Sequence, residues 1–162
     1  MNAVNVHERV LPASADEVGA LIDRPERMWP ERWPALRLDS PIRVGDESRR
    51  GFICEEVVEY RAGERLAFRM TSPAQLHGKH RFEVEPVGER QTVLRHVVDV
   101  APDGAARVLW PLVVRPLHDA LLEDLLDRAE TAVGGSPTPR AWSRRVRLLR
   151  WYIGRRQRRN RG

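Results

Sequence analysis

The chain contains one cysteine, Cys54, among 162 residues. An internal disulfide is therefore excluded, and no cysteine-based zinc site is plausible. That usage fits a reducing compartment, with the cytoplasm as the default. No apolar run approaches the roughly 18 residues of a membrane span. No basic segment followed by an apolar stretch opens the chain, so no signal peptide is expected. Lysine is almost missing: Lys79 stands against 27 arginines, a bias better explained by a GC-rich genome than by function. Acids are missing from the end of the chain. From Arg140 onward there are ten arginines and neither Asp nor Glu. Residues 1–139 thus hold 18 of the 28 basic groups against all 23 acids, a net charge of −5. The overall charge of +5 belongs to the tail and says nothing about what the body binds. Glycine-rich phosphate loops and a Gly-x-Ser-x-Gly elbow are absent, and no internal repeat is found.

A chain of this length suits one domain and buries roughly two-thirds of its unfolded surface, enough for a core without staples. Val4 to Leu11 is valine-rich and alternates partly, which reads as a strand. Ser14 with Glu17 forms a capping box, and Val18, Leu21 and Ile22 give the short helix behind it one apolar face. Asp23 to Trp33 is broken by prolines and predicts a short second helix or a turn. Phe52–Tyr60, Arg65–Thr71, His80–Glu85 and Thr92–Val100 read as strands. The turns between them fall at Val44–Asp46, Arg61–Glu64, Ser72–Ala74 and Pro86–Glu89. Strands joined by such short turns form an antiparallel meander.

The chain is organised around the stretch from Arg107 to Val133. It reads as one long helix with a broken start at Trp110, Pro111 and Pro116, ended by Gly134-Gly135. Leu122, Leu125, Leu126, Ala129 and Val133 share a face, with His118 and Leu121 on its edge and Glu123, Asp127 and Glu130 opposite. Strand, short helices, meander and long helix together predict an α+β fold with the helix against the sheet.

Alternation places His80, Phe82 and Val84 on one strand face, and Leu94, His96, Val98 and Val100 on another. Leu66, Phe68 and Met70 make a third set, all aimed at the long helix. His80 and His96 travel with these inward sets. They either line a cavity or pack near a sheet edge with a satisfied hydrogen bond. His77, His80, His96 and His118 are candidate metal ligands, but no carboxylate is compellingly placed to complete a site, and no metal or cofactor is expected. Cys54 sits in a strand without an apparent base. Trp29, Trp33 and Trp110 fall in breaks between elements, where they line a ligand entrance or close a plain core.

Residues 136–162 form a second segment: a Pro-containing linker, then an Arg-rich tail. Trp142, Val146, Leu149 and Ile153 fall on one helical stripe. Such a segment suits an anionic membrane surface. Nucleic acid is a weaker alternative, and a solvated terminus without a partner is a third.

The pattern resembles the SRPBCC superfamily, the START-like and birch-pollen-allergen-like helix-grip proteins that include the polyketide cyclase/dehydrase and lipid-transport group. The resemblance covers about residues 3–133. It rests on Val10-Leu11-Pro12-Ala13-Ser14-Ala15-Asp16-Glu17-Val18, Glu56-Val57-Val58-Glu59-Tyr60, Gly78-Lys79-His80-Arg81-Phe82-Glu83-Val84 and Leu94-Arg95-His96. Trp110-Pro111-Leu112 and the run from Arg115 to Asp124 add to it. It implies an antiparallel sheet of about seven strands curved around a long C-terminal helix, with two short helices after the first strand. It makes residues 1–135 a ligand-binding domain with a deep hydrophobic cavity for a lipid, polyketide or similar molecule. Trp29, Trp33, Tyr60, Phe68, His80, Phe82, Leu94, His96, Trp110 and Leu117 are its candidate lining. In cyclase-type members polar pocket groups act as acids or bases, which would make His80 and His96 the catalytic candidates. One fold serves many uses here, so binding without turnover and cyclisation or dehydration both stand. Neither the ligand nor the oligomeric state is specified by the chain.

Overall fold

The computed structural model describes residues 3–50 and 53–159. Phe52, expected at the start of a strand, and the last three residues of the tail lie outside them. Six antiparallel strands form one sheet: β1 (Ala3–Leu11), β2 (Glu47–Arg50), β3 (Ile53–Arg61), β4 (Arg65–Ser72), β5 (Leu76–Gly88) and β6 (Gln91–Pro102). Their order is β1-β6-β5-β4-β3-β2, so β1 closes the far edge of a β2–β6 meander. Among the described residues the count is six rather than about seven, because the chain before β2 adds only an isolated bridge, Arg37 to Arg49.

Helix α1 (Ala15–Ile22) begins at the capping box read from the sequence: Ser14 Oγ accepts from the Glu17 amide, and Glu17 accepts from the Ser14 amide at 2.9 Å. A single 3-10 turn at Pro25–Arg27 takes the place of a second helix, as Pro25, Pro30 and Pro34 each withhold an amide that a longer helix would need. The long helical run has three parts: α2 (Ala106–Leu109), a π-helical turn at Trp110–Val114, and α3 (Arg115–Ala132). The broken start therefore resolves as a continuous helix widened where Pro111 withholds an amide. Gly134 ends it at φ +82°, a conformation that a side chain would strain. The expected turn at Pro86–Glu89 is instead strand to Gly88. A bulge between Pro86 and Gly88 accommodates the proline, and the chain turns at Glu89-Arg90.

α3 lies across the concave face with Leu121, Leu122, Leu125, Leu126 and Ala129 buried against Leu66, Phe68, Phe82 and Leu94. Each fully buried leucine contributes about 1.5–3 kcal/mol relative to exposure. The edge strand β1 departs from the apolar-inward rule. Val4, Val6 and Val10 are exposed, while Asn5, His7 and Arg9 face α3. Arg9 bonds Glu123, Asp127 and Glu130, so the acids expected on the outer face of the helix form an ionic seam with β1.

At the opposite end, Gly19 on α1 meets the β3–β4 hairpin turn at Gly63, whose φ is +72°. A Cβ on Gly19 would lie 2.5 Å from the Gly63 carbonyl oxygen. Helix propensity alone would make Gly19→Ala stabilising by about 1 kcal/mol. The backbone collision reverses that sign, and a net loss of about 1–3 kcal/mol is expected, read as a lower urea midpoint at unchanged slope.

Candidate functional site

An apolar cavity of about 190 Å³ lies between the sheet and the start of the long helix. Trp29, Trp33, Met70, Leu76, Trp110 and Leu117 form much of its wall. The indole of Trp29 donates to the Pro34 carbonyl at 2.8 Å, which fixes the loop carrying both tryptophans. His118 is at the wall, and so are Arg150 and Ile153 of a last helix, α4 (Arg144–Arg159). Among the described residues, His118 and Arg150 are the ionisable groups lining the cavity.

Four of the candidate lining residues, Trp29, Trp33, Trp110 and Leu117, thus surround this space. The other six do not. Phe68, His80, Phe82 and His96 border a void of about 10 Å³, which at most holds about one water. Leu94 is fully buried in the core. The Tyr60 hydroxyl donates to Asp23 at 3.0 Å near the Gly19–Gly63 contact. The physical reason is steric: α3 packs directly on these inward side chains, and the cavity lies toward its start, at Leu117, His118 and Leu121.

His80 and His96 are core groups with partners. His80 Nε2 lies 2.9 Å from Glu55 Oε1, and His80 Nδ1 lies 3.1 Å from His96 Nε2. His80 stacks on Phe68 at 4.9 Å, and His96 tilts against Phe82 at 4.5 Å. Glu55, His80 and His96 are all buried. A buried carboxylate on an imidazole satisfies both groups and costs stability if either is removed. Glu55 has no counterpart in the sequence reading. Its position two residues before buried Val57 on β3 was the available signal.

His118 continues this row. Its ring centroid is 5.3 Å from that of His96 and 6.0 Å from that of His7. His7 pairs with His96 across β1 and β6, so both rings share the concave face. His7 Nε2 sits 3.1 Å from Asp119 Oδ1 and His7 Nδ1 3.2 Å from Glu123 Oε1. Asn5 donates to the same Asp119 oxygen at 2.6 Å. The bond to Asp119 raises the His7 pKa; burial opposes it, and the Glu123 bond adds to it. Burial would raise Asp119, but bonds from His118, His7 and Asn5 prevail and hold its carboxyl well below the usual range. His7, His118 and Asp119 could also hold a cation, since one ligand atom from each lies within 4.8 Å of the others. Of the histidines considered as metal ligands from sequence, only His118 belongs to this group; His77 is exposed, and His80 and His96 bond elsewhere. Two carboxylates on one imidazole favour its protonated form, which must lose a proton to bind metal.

The second buried acid is Asp124. Trp33 Nε1 donates to it at 2.7 Å, Trp142 Nε1 at 3.1 Å and Arg32 at 2.6 Å. Trp142 belongs to the tail, so the tail is anchored to α3. Val146 is buried, and the Arg150 guanidinium lies 4.5 Å over the Trp33 ring. The stripe of Trp142, Val146, Leu149 and Ile153 therefore faces the body rather than an outside partner. No described helix is long and apolar enough to cross a membrane.

Because the folded-state pKa of His7 is raised, its contribution is complete below the unfolded value of about 6.5. It is lost as pH rises through the folded pKa. The thermal midpoint of the wild type should fall relative to His7→Gln between pH 6 and pH 8, and differential scanning calorimetry of both at each pH reads the difference. A constant difference would show that His7 does not titrate in that window.

Residues 3–134 match the family described as polyketide cyclase / dehydrase and lipid transport. No curated protein sequence matches the chain. Solved structures show the same fold at low identity. Norcoclaurine synthase from Thalictrum flavum has a TM-score of 0.65 at 16% identity, covering 82% of this chain and 87% of that one. CalU16 from Micromonospora echinospora has a TM-score of 0.61 at 16% identity, covering 95% and 92%. A START superfamily protein from Mycobacterium smegmatis has a TM-score of 0.55 at 16% identity, covering 80% and 96%. With a sheet gripping the long helix and a family match over residues 3–134, the chain belongs to the polyketide cyclase/dehydrase and lipid transport family, a START-like branch of the SRPBCC superfamily.

Proposed function

We propose that residues 1–135 bind a hydrophobic small molecule, a lipid, polyketide or similar compound, in the cavity between the sheet and the long helix. The observation that carries this reading is the composition of the wall: three tryptophans and several aliphatic side chains, with His118 as the body's single ionisable contribution among the described residues. Such a lining favours an apolar ligand bearing one polar group, which His118 orients. At about 190 Å³ the space is smaller than the roughly 300 Å³ of a usual ligand pocket. Part of the wall is α4, through Arg150 and Ile153, so displacing α4 would enlarge the space for a full-sized ligand. Residues 136–162 act in this reading as an accessory segment. The location proposed is cytoplasmic, with the tail as a peripheral contact.

A second reading is an enzyme of the cyclase or dehydrase kind. One feature favours it: the Asp119 carboxylate lies 3.9 Å from Nδ1 of His118, whose ring reaches the cavity. A carboxylate behind an imidazole orients it as a general base. His118 thus replaces His80 and His96 as the catalytic candidate.

Solvent extraction of the purified chain followed by mass spectrometry tests the first reading. A stoichiometric apolar compound is expected from the wild type, and Val114→Trp, which fills the cavity, should lose it while keeping the thermal midpoint within a few degrees. Equal recovery from both would place the compound elsewhere. For the enzyme, His118→Ala should abolish turnover of a polyketide-like substrate without unfolding the chain, whereas His80→Ala should lower stability first. Undiminished turnover in His118→Ala rules out the enzymatic role.

A further inference from the structure

Helix α4 presents a second face. Leu148, Trp151 and Tyr152 are each more than half exposed, and Arg144 and Arg147 are exposed beside them. The Arg155 guanidinium lies 5.3 Å over the Trp151 ring. A leucine, a tryptophan and a tyrosine flanked by arginines match the interfacial layer of an anionic bilayer. The aromatic rings seat at headgroup depth, and the guanidinium groups meet lipid phosphates. No acid follows Arg140 to oppose such contact. Nucleic acid fits less well, because it needs open aromatic faces for stacking. Arg32 covers Trp142 at 4.4 Å, and Arg155 covers Trp151.

The inward face is held by contacts that the same surface would contest. Arg145 donates to the carbonyls of Pro111 and Leu112, and Arg150 to that of Arg32. These acceptors are neutral, and a lipid phosphate is a stronger partner for a guanidinium. Burial at the cavity mouth pushes the Arg150 pKa down, so its present position disfavours the charge. Between α3 and α4 lies an irregular segment with glycines at 134 and 135, which permits α4 to move as a unit.

We propose that the outward face of α4 docks on an anionic lipid bilayer and that docking draws α4 off the cavity, so that the hydrophobic ligand is exchanged at the membrane. The proposal rests on the cavity being the ligand site. It assigns the arginines two alternative sets of partners: carbonyls in the closed chain, phosphates in the docked one.

The test uses the full chain and vesicles of phosphatidylcholine with and without phosphatidylserine, loaded with a fluorescent fatty acid and a non-exchangeable quencher lipid. Extraction into protein appears as dequenching, and co-sedimentation measures docking. The wild type should sediment with the phosphatidylserine vesicles and extract the probe several-fold faster from them. Leu148→Glu with Trp151→Glu should weaken sedimentation roughly tenfold and abolish the rate advantage. Trp142→Ala, which removes the tail's bond to Asp124 and its packing on Trp33, should extract the probe at the fast rate from either vesicle. Docking without a rate difference between vesicles, or binding to single-stranded DNA in place of vesicles, overturns the proposal. If Trp142→Ala extracts the probe but phosphatidylserine has no effect, the proposal fails while the cavity reading stands. If neither chain takes up the probe from any vesicle, the cavity reading fails with it.

Discussion

Arg9 reaches from the edge strand β1 to Glu123, Asp127 and Glu130, and this seam fixes how α3 is rotated in the grip of the sheet. Successive residues on a helix turn by 100°, so one side fixes all the others. With the acids toward β1, Leu122, Leu125, Leu126 and Ala129 fall on the sheet, Asp124 falls toward the tryptophan loop, and Leu117, His118 and Leu121 fall on the cavity. Arg9 is largely shielded, and its three partners are partly so. A pair in that setting is stronger than one at an open surface, where about 0–1 kcal/mol is typical. Losing Arg9 would leave three acids adjacent on one helix face.

The same geometry explains what the sequence showed and what it hid. Periodicity exposed the long helix, its apolar stripe, the capping box and the meander, because each depends on local spacing. The resemblance supplied the grip. Polar inward residues were hidden. Asn5, His7 and Arg9 alternate on β1 as regularly as its valines, and a rule that sends valine inward picks the wrong face. Only the pairing of those side chains with the acids of α3 resolves the choice, and that pairing spans more than a hundred residues of chain. Asp124 was hidden for a related reason. Within a run of leucines and acids it reads as one more solvated carboxylate, although two indoles and an arginine surround it.

The tail shows the limit of reading amphipathicity as a partner. Its apolar stripe correctly indicates a surface to be covered, but the moment of a helix does not say whose surface that is. Here the stripe faces the body, through Val146 and the Trp142–Asp124 bond. What remains outside is a narrower set, Leu148, Trp151 and Tyr152. The family match covers residues 3–134, and Arg150 and Ile153 beyond it complete the cavity wall.

Rotation of α3 also decides which histidine can do chemistry. His80 and His96 sit where the helix presses on the sheet, so their hydrogen bonds close on Glu55 and on each other. Groups so enclosed order the core. Nearer the start of the helix, His118 stands with His96 on one side and the cavity on the other. His118 has acidic neighbours in Asp119 and, past His7, in Glu123 at an open groove between α3 and the tail. The arrangement thus links an apolar chamber to solvent through ionisable side chains.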